Sequence, residues 1–166
     1  RAFAELFFHT PDDVRPLVGQ NRLTGEVIEK YVLQILRYDQ RMADSFIYVG
    51  SEQRVSSSFP LTDGRRANLI GYIDRVDGAL RIVDYKTGIK KDLRFESVTD
   101  LFDRNKGNTR KAAVMQVLTY GWMVHTEGLT RSLPLRPSIY YVRDLFADDF
   151  DPSIYLGKSR AKKENC

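Results

Sequence analysis

A chain of 166 residues, 42% apolar and 29% charged, is long enough to bury one substantial core and has the composition of an ordinary globular protein. Its net charge of +4 is modest, and its single cysteine, Cys166, excludes an internal disulfide and fits a reducing, cytoplasmic setting. No stretch approaches the roughly 20 apolar residues of a membrane span.

In chain order, residues 3–8 read as the end of an apolar helix stopped near Pro11. Residues 22–43 read as a long helix, with Val27, Ile28, Tyr31, Val32, Ile35 and Leu36 as an apolar stripe at helical spacing and Thr24 as its N-cap. Residues 46–49 and 53–59 read as one strand or two pieces broken around Gly50, and 60–66 as a turn. Strands follow at 68–76 and 80–86, joined by a tight turn at Asp77-Gly78-Ala79. Residues 88–107 form a basic connection with a short helix over 96–104. A second long helix covers 111–126 and is ended by Gly128, and the last strand is 138–143. Within the second helix, Met115, Leu118, Trp122 and Met123 are the expected buried bulk. The order αβββαβ predicts an α/β fold in which a mixed sheet is flanked by helices, with residues 1–166 as a single domain. Because the chain opens with Arg1 rather than methionine, a piece of a longer protein is the simplest reading.

The stretch from Gly71 to Gly88, GYIDRVDGALRIVDYKTG, carries the chemistry. Side chains alternate along a strand, so Asp84 and Lys86 project together, roughly 7 Å apart. With the turn centred on Gly78, Asp74 lies opposite Ile82, on the face of Asp84 and Lys86. A two-residue turn would place it on the wrong face unless a bulge intervened. Ile73, Ile82 and Val83 make these strands apolar, and charges in an apolar strand core need a partner or an ion. Two carboxylates can hold a hard divalent cation. A lysine beside them can orient or deprotonate a water, or bind phosphate. Gln116 and Tyr120, four apart on the second helix, share a face. Basic residues gather over 86–111, opposed only by Asp92, Glu96, Asp100 and Asp103, and again at 158–163. Such charge attracts a polyphosphate backbone. The acidic residues Asp144, Asp148, Asp149 and Asp151 read as a solvated loop.

The run G-x-x-D-R-x-D, then V-D-Y-K-T-G, then Q-x-x-x-Y on a helix, resembles the PD-(D/E)XK nuclease superfamily, and within it the RecB/AddB-like exonuclease branch. The matching residues are Gly71, Asp74, Asp84, Tyr85, Lys86, Thr87, Gly88, Gln116 and Tyr120. The resemblance implies a restriction-endonuclease-like core. It implies that Asp74, Asp84 and the main-chain carbonyl of Tyr85 bind Mg²⁺ or Mn²⁺. Lys86 would be catalytic, and Gln116 and Tyr120 would position nucleic acid. It also implies a further ligand on the first core helix. There the chain departs from the pattern: His9 and His125 are badly placed, and Glu26 and Glu29 are the carboxylates that could substitute. Glu52 sits where related nucleases often carry a glutamate. An iron–sulfur cluster would need cysteines beyond Cys166 in the parent protein.

The expected function is metal-dependent hydrolysis of DNA phosphodiester bonds, as an exonuclease in repair or recombination beside a helicase domain or subunit. The alternatives are a non-catalytic nucleic-acid-binding module that retains the fold, and an interaction domain with a solvated acidic hairpin.

Overall fold

The computed structural model describes residues 5, 9, 16–42, 47–78, 81–89, 92–103, 111–128 and 135–157. The chain divides into two compact units, Arg1–Arg41 and Met42–Cys166. Most of the expected helix at 3–8, the basic residues of 104–110 and the tail from 158 to Cys166 lie outside the described residues.

The first unit holds helix α1, Gly19–Arg41. It starts earlier than the cap at Thr24 predicts: Gly19 takes a φ of 58°, a conformation that glycine adopts at no steric cost, and Thr24 lies inside the helix. The apolar stripe has the predicted spacing, but Val27, Ile28, Val32 and Leu36 are exposed. Glu26 accepts a hydrogen bond from Arg22 at 2.9 Å.

The second unit is built on a four-stranded sheet. Its strands are β1 (Tyr48–Pro60), β2 (Arg66–Asp77), β3 (Arg81–Lys86) and β5 (Arg136–Tyr141), in the spatial order β1-β2-β3-β5. The first three pair antiparallel and β5 pairs parallel to β3, so the sheet is mixed as predicted. β1 runs through Gly50 without a break, and the irregularity there is a register shift between Tyr48 and Gly50. The β1–β2 turn is shorter than expected. Leu61 N–H donates to the Arg65 carbonyl at 2.7 Å, Gly64 takes a φ of 81°, and the Asp63 carboxylate accepts from the Arg65 amide.

Helix α2, Ala112–Thr126, covers one face of this sheet. Val114, Val117, Gly121 and Val124 form its buried seam, at the spacing of one helix face, and Val117 joins Ile73, Ile82 and Ile139 in the core. Gly121 lies 3.9 Å from Ile82 Cδ1, measured from where a Cβ would stand. This seam sets the helix phase, so the expected bulk is only partly right. Met123 is buried, Met115 and Leu118 are half-buried, and Trp122 is exposed with its edge on Phe59. At the far end, Glu127 accepts from the Ser56 amide and Thr126 bonds Ser57, tying α2 to β1. Gly128, with a φ of 77°, ends the helix as predicted.

A small parallel pair, β4 (Arg94–Phe95) with β6 (Tyr155–Leu156), was not predictable from two-residue segments without periodicity. The expected helix at 96–104 is a single 3₁₀ turn, Val98–Leu101, with the Asp100 carboxylate accepting from the Ser97 amide. Asp144 opens another short 3₁₀ turn, Asp144–Phe146. Among the described residues, no helix is long and apolar enough to cross a membrane.

Candidate active site

The β2–β3 register pairs Asp77 with Arg81, Val76 with Ile82 and Arg75 with Val83. Gly78, Ala79 and Leu80 lie between the paired ends, so the turn is centred one residue later than the sequence suggests. A three-residue connection keeps the predicted parity, but the partner of Ile82 is Val76, not Asp74. The next step along both strands brings Asp74 to Asp84. There the backbone ladder stops. The Asp74 carboxylate instead accepts the Tyr85 amide, at 2.7 Å. A strand residue directs its N–H and C=O to the same edge, so the Tyr85 carbonyl faces the Asp74 side as well.

Face alternation along β2 also breaks at Asp74. Gly71 faces the Tyr120 ring of α2 and Ile73 joins the core beneath that helix. Arg75 turns to the opposite face, against Tyr85 and Tyr140. The residue of β1 standing opposite the break is Glu52, between the pairs Ser51–Arg75 and Gln53–Ile73. Its φ of 50° is rare for a residue with a side chain. Glu52 itself is exposed.

On the α2 side, the motif residues form one connected chain. Lys86 Nζ lies 3.0 Å from Asp84 Oδ1 and 2.8 Å from Oδ2, and donates to Gln116 Oε1 at 3.1 Å. Gln116 Nε2 donates to the Tyr120 hydroxyl at 3.0 Å. Gly71 completes the chain, because its missing Cβ leaves room for the Tyr120 ring. The structure thus brings Asp74, Asp84, Tyr85, Lys86, Gln116 and Tyr120 to one place, where the two inner strands β2 and β3 part.

Asp84 is 3% exposed, and burial pushes its carboxyl above the ordinary value. The bond and charge of Lys86 oppose that shift, and the neighbouring Asp74 carboxylate adds to it. Lys86 Nζ stands close to both Asp84 oxygens, so its ammonium is shared across the buried carboxylate. A buried carboxylate, a second carboxylate across the seam and a carbonyl on the same side are the kind of oxygen set that a hard cation takes. Among the described residues, no group of three His, Cys, Asp or Glu side chains gathers to hold an ion. The residues fit a cation bound through two carboxylates and water, as Mg²⁺ commonly is.

A cavity of about 460 Å³ adjoins Lys86 and Gln116 and is lined further by Gly88, Asp92 and Lys111. Of the basic residues expected over 86–111, Lys111 bonds the Asp92 carbonyl at 2.7 Å and its carboxylate at 3.2 Å, and Arg94 stacks on Tyr155.

Sequence reasoning missed a second cluster on the opposite face. Asp77, 1% exposed, accepts from Arg81 at 2.8 Å and pairs with Arg75 at 3.5 Å. Arg75 donates to the Tyr85 hydroxyl at 2.8 Å, and both arginines lie over the Tyr140 ring. The signal was present in D-R-x-D, whose arginine and second aspartate fall on one strand face.

A family model of the PD-(D/E)XK nuclease superfamily matches residues 1–164. The chain belongs to that superfamily, and its mixed four-stranded sheet is consistent with the restriction-endonuclease-like fold. Membership points to hydrolytic nuclease activity on a nucleic acid substrate and, as the superfamily generally requires, to a divalent metal. Comparisons with curated proteins and with solved structures found no match.

Proposed function

We propose that this protein is a Mg²⁺- or Mn²⁺-dependent deoxyribonuclease, an exonuclease of the RecB/AddB-like kind acting in DNA repair or recombination. The observation that carries the reading is the convergence of Asp74, Asp84, Lys86 and Gln116 where the β2–β3 ladder opens. Asp74, Asp84 and the Tyr85 carbonyl would hold the ion. The chemistry that a bound divalent cation supplies there is a lowered pKa of water and stabilisation of charge on the phosphate.

The remaining work falls to the chain's own groups. Lys86 Nζ has three donors; Asp84 Oδ1 and Gln116 Oε1 take two, and its side chain is 30% exposed. The third donor is available to an incoming water or to a phosphate oxygen. Gln116, fixed by Tyr120, keeps Nζ from collapsing wholly onto Asp84. Tyr120 and Gln116 line the approach on which the nucleic acid would be positioned. The same reading takes residues 1–166 as one nuclease domain of a longer protein, working beside a helicase domain or subunit.

A second reading, a non-catalytic nucleic-acid-binding module, is favoured by one observation: only two carboxylates meet at the site among the described residues. Cleavage of linear duplex and single-stranded DNA with Mg²⁺ and with Mn²⁺ separates the two. Lys86→Ala should lower cleavage by at least about 100-fold, the usual size of a proton-transfer contribution, and leave Mn²⁺ binding largely intact. Asp84→Ala should remove both. Wild-type cleavage by Lys86→Ala would refute the assigned role, and Mn²⁺ binding without cleavage in the unmodified protein would favour the binding module.

A further inference from the structure

We infer that Arg75 and the Tyr85 hydroxyl form a clamp behind the site that sets the separation of Asp74 and Asp84. The inference rests on the proposed reading that those two carboxylates hold a divalent cation.

The clamp occupies a decisive place. Arg75 follows Asp74 directly, and Tyr85 stands between Asp84 and Lys86. The β2–β3 backbone ladder ends at Arg75–Val83. Past that pair, Tyr85 is held at both of its ends by β2. Its amide donates to the Asp74 carboxylate at 2.7 Å, and its hydroxyl accepts from Arg75 at 2.8 Å on the other face of the sheet. Its ring packs edge-on against Tyr140 at 5.6 Å. A small rotation of Tyr85 therefore moves its own carbonyl and the Asp84 carboxylate together.

Arg75 is itself braced. Its guanidinium lies 5.5 Å from the centre of the Tyr140 ring and 3.5 Å from Asp77, which Arg81 also grips at 2.7 Å. Arg75 and Asp77 are 7% and 1% exposed. A buried ion network of this kind is weak support for stability, since apolar replacement of whole networks is often neutral or better. What a fixed guanidinium fork offers instead is geometry: it holds a hydroxyl and a carboxylate at defined angles. Metal sites depend on such supporting bonds, whose loss costs roughly 10–100-fold in affinity. Arg75 and Tyr85 act through the ligands, so the hydroxyl and the guanidinium are positioning groups.

The test measures Mn²⁺ binding to the metal-free protein by electron paramagnetic resonance, without substrate, beside thermal unfolding. Tyr85→Phe deletes one hydroxyl and should weaken Mn²⁺ binding about tenfold. Arg75→Lys, which keeps a charge near Asp77 but loses the fork, should weaken it similarly. Val124→Ala removes buried bulk from the core cluster at the C-terminal end of α2 and should lower the unfolding temperature without changing the affinity. Unchanged affinity in Tyr85→Phe would overturn the clamp while leaving the site intact. An equal loss in Val124→Ala would also overturn it, because general loosening would then suffice. Failure of the unmodified protein to bind Mn²⁺ would overturn the reading of the carboxylates and the clamp's purpose with it.

Discussion

The substitution Gly71→Ala tests the contact at the far end of the site's polar chain. A Cβ at position 71 would overlap Tyr120 Cε1, and would stand 3.1 Å from Cδ1 and 3.2 Å from Cζ. Ordinary carbon contacts lie at about 3.5–4.0 Å, so the ring must move away. Overpacking of this kind costs about 1–3 kcal/mol, while alanine in a strand recovers about 0.5–1 kcal/mol relative to glycine. The net loss is about 0–2.5 kcal/mol, or a fall of up to about 10 °C in unfolding temperature for a chain of this size. The displaced hydroxyl also leaves Gln116, whose other end bonds Lys86, so cleavage should fall too. Thermal unfolding of a double-mutant cycle isolates the contact. In a Tyr120→Ala background the same substitution should become neutral or stabilising, giving a coupling within the range of about 0.5–3 kcal/mol found for residues in contact. An equal loss in both backgrounds would show that Gly71 is required for some reason other than the ring.

Two further outcomes follow from the same geometry. Gln116→Ala should slow single-turnover cleavage by about tenfold or more, the value of a hydrogen bond to a charged group, and leave Mn²⁺ affinity unchanged; a parallel loss of metal binding would mean that Gln116 acts on the ligands instead. Asp84→Asn should stabilise the metal-free protein at neutral pH, because burial and Asp74 hold the Asp84 carboxyl above its ordinary value. The folded state then binds this proton more tightly than the unfolded state, so stability falls as pH rises from the ordinary carboxylate range through the raised value. The wild type carries the full penalty above that window, and Asn carries none. Unfolding temperatures in chelator across that range should converge in acid and separate by a few degrees at neutrality. A wild type more stable than Asp84→Asn at neutral pH would refute the sign.

How much of this could be read from sequence differs by element. That Asp84 and Lys86 share a strand face, and Gln116 and Tyr120 a helix face, was legible because alternation and helical spacing are local properties. Asp74 joined them for a partly different reason. Its opposite number is the Asp84 position rather than Ile82, and parity survived because the turn moved by a whole residue. The break in alternation at Asp74 was invisible, as was the positive φ of Glu52 that stands opposite it in another strand. The buried role of Arg75 was missed because arginine is almost always solvated, and only tertiary partners justify its burial. Trp122 failed the other way: its size suggested core, but the phase set by Gly121 turned it outward.

The site can be understood as a seam opened between two strands. A backbone ladder that ends inside a folded sheet leaves amide and carbonyl groups that must find other partners. Asp74 answers the Tyr85 amide in the plane of the sheet. Above the plane, the polar chain from Gly71 through Tyr120 and Gln116 to Lys86 returns from β2 to β3 by way of α2. Below it, Arg75 reaches the Tyr85 hydroxyl. The two lips of the seam are thus bridged three times without being closed by backbone pairing. The carboxylates of Asp74 and Asp84 and the carbonyl edge of Tyr85 all face this seam. Closing the ladder would give the Tyr85 amide a backbone acceptor in place of the Asp74 carboxylate. On the proposed reading, the opening that costs the sheet a backbone pair is the feature that turns these oxygens toward a cation.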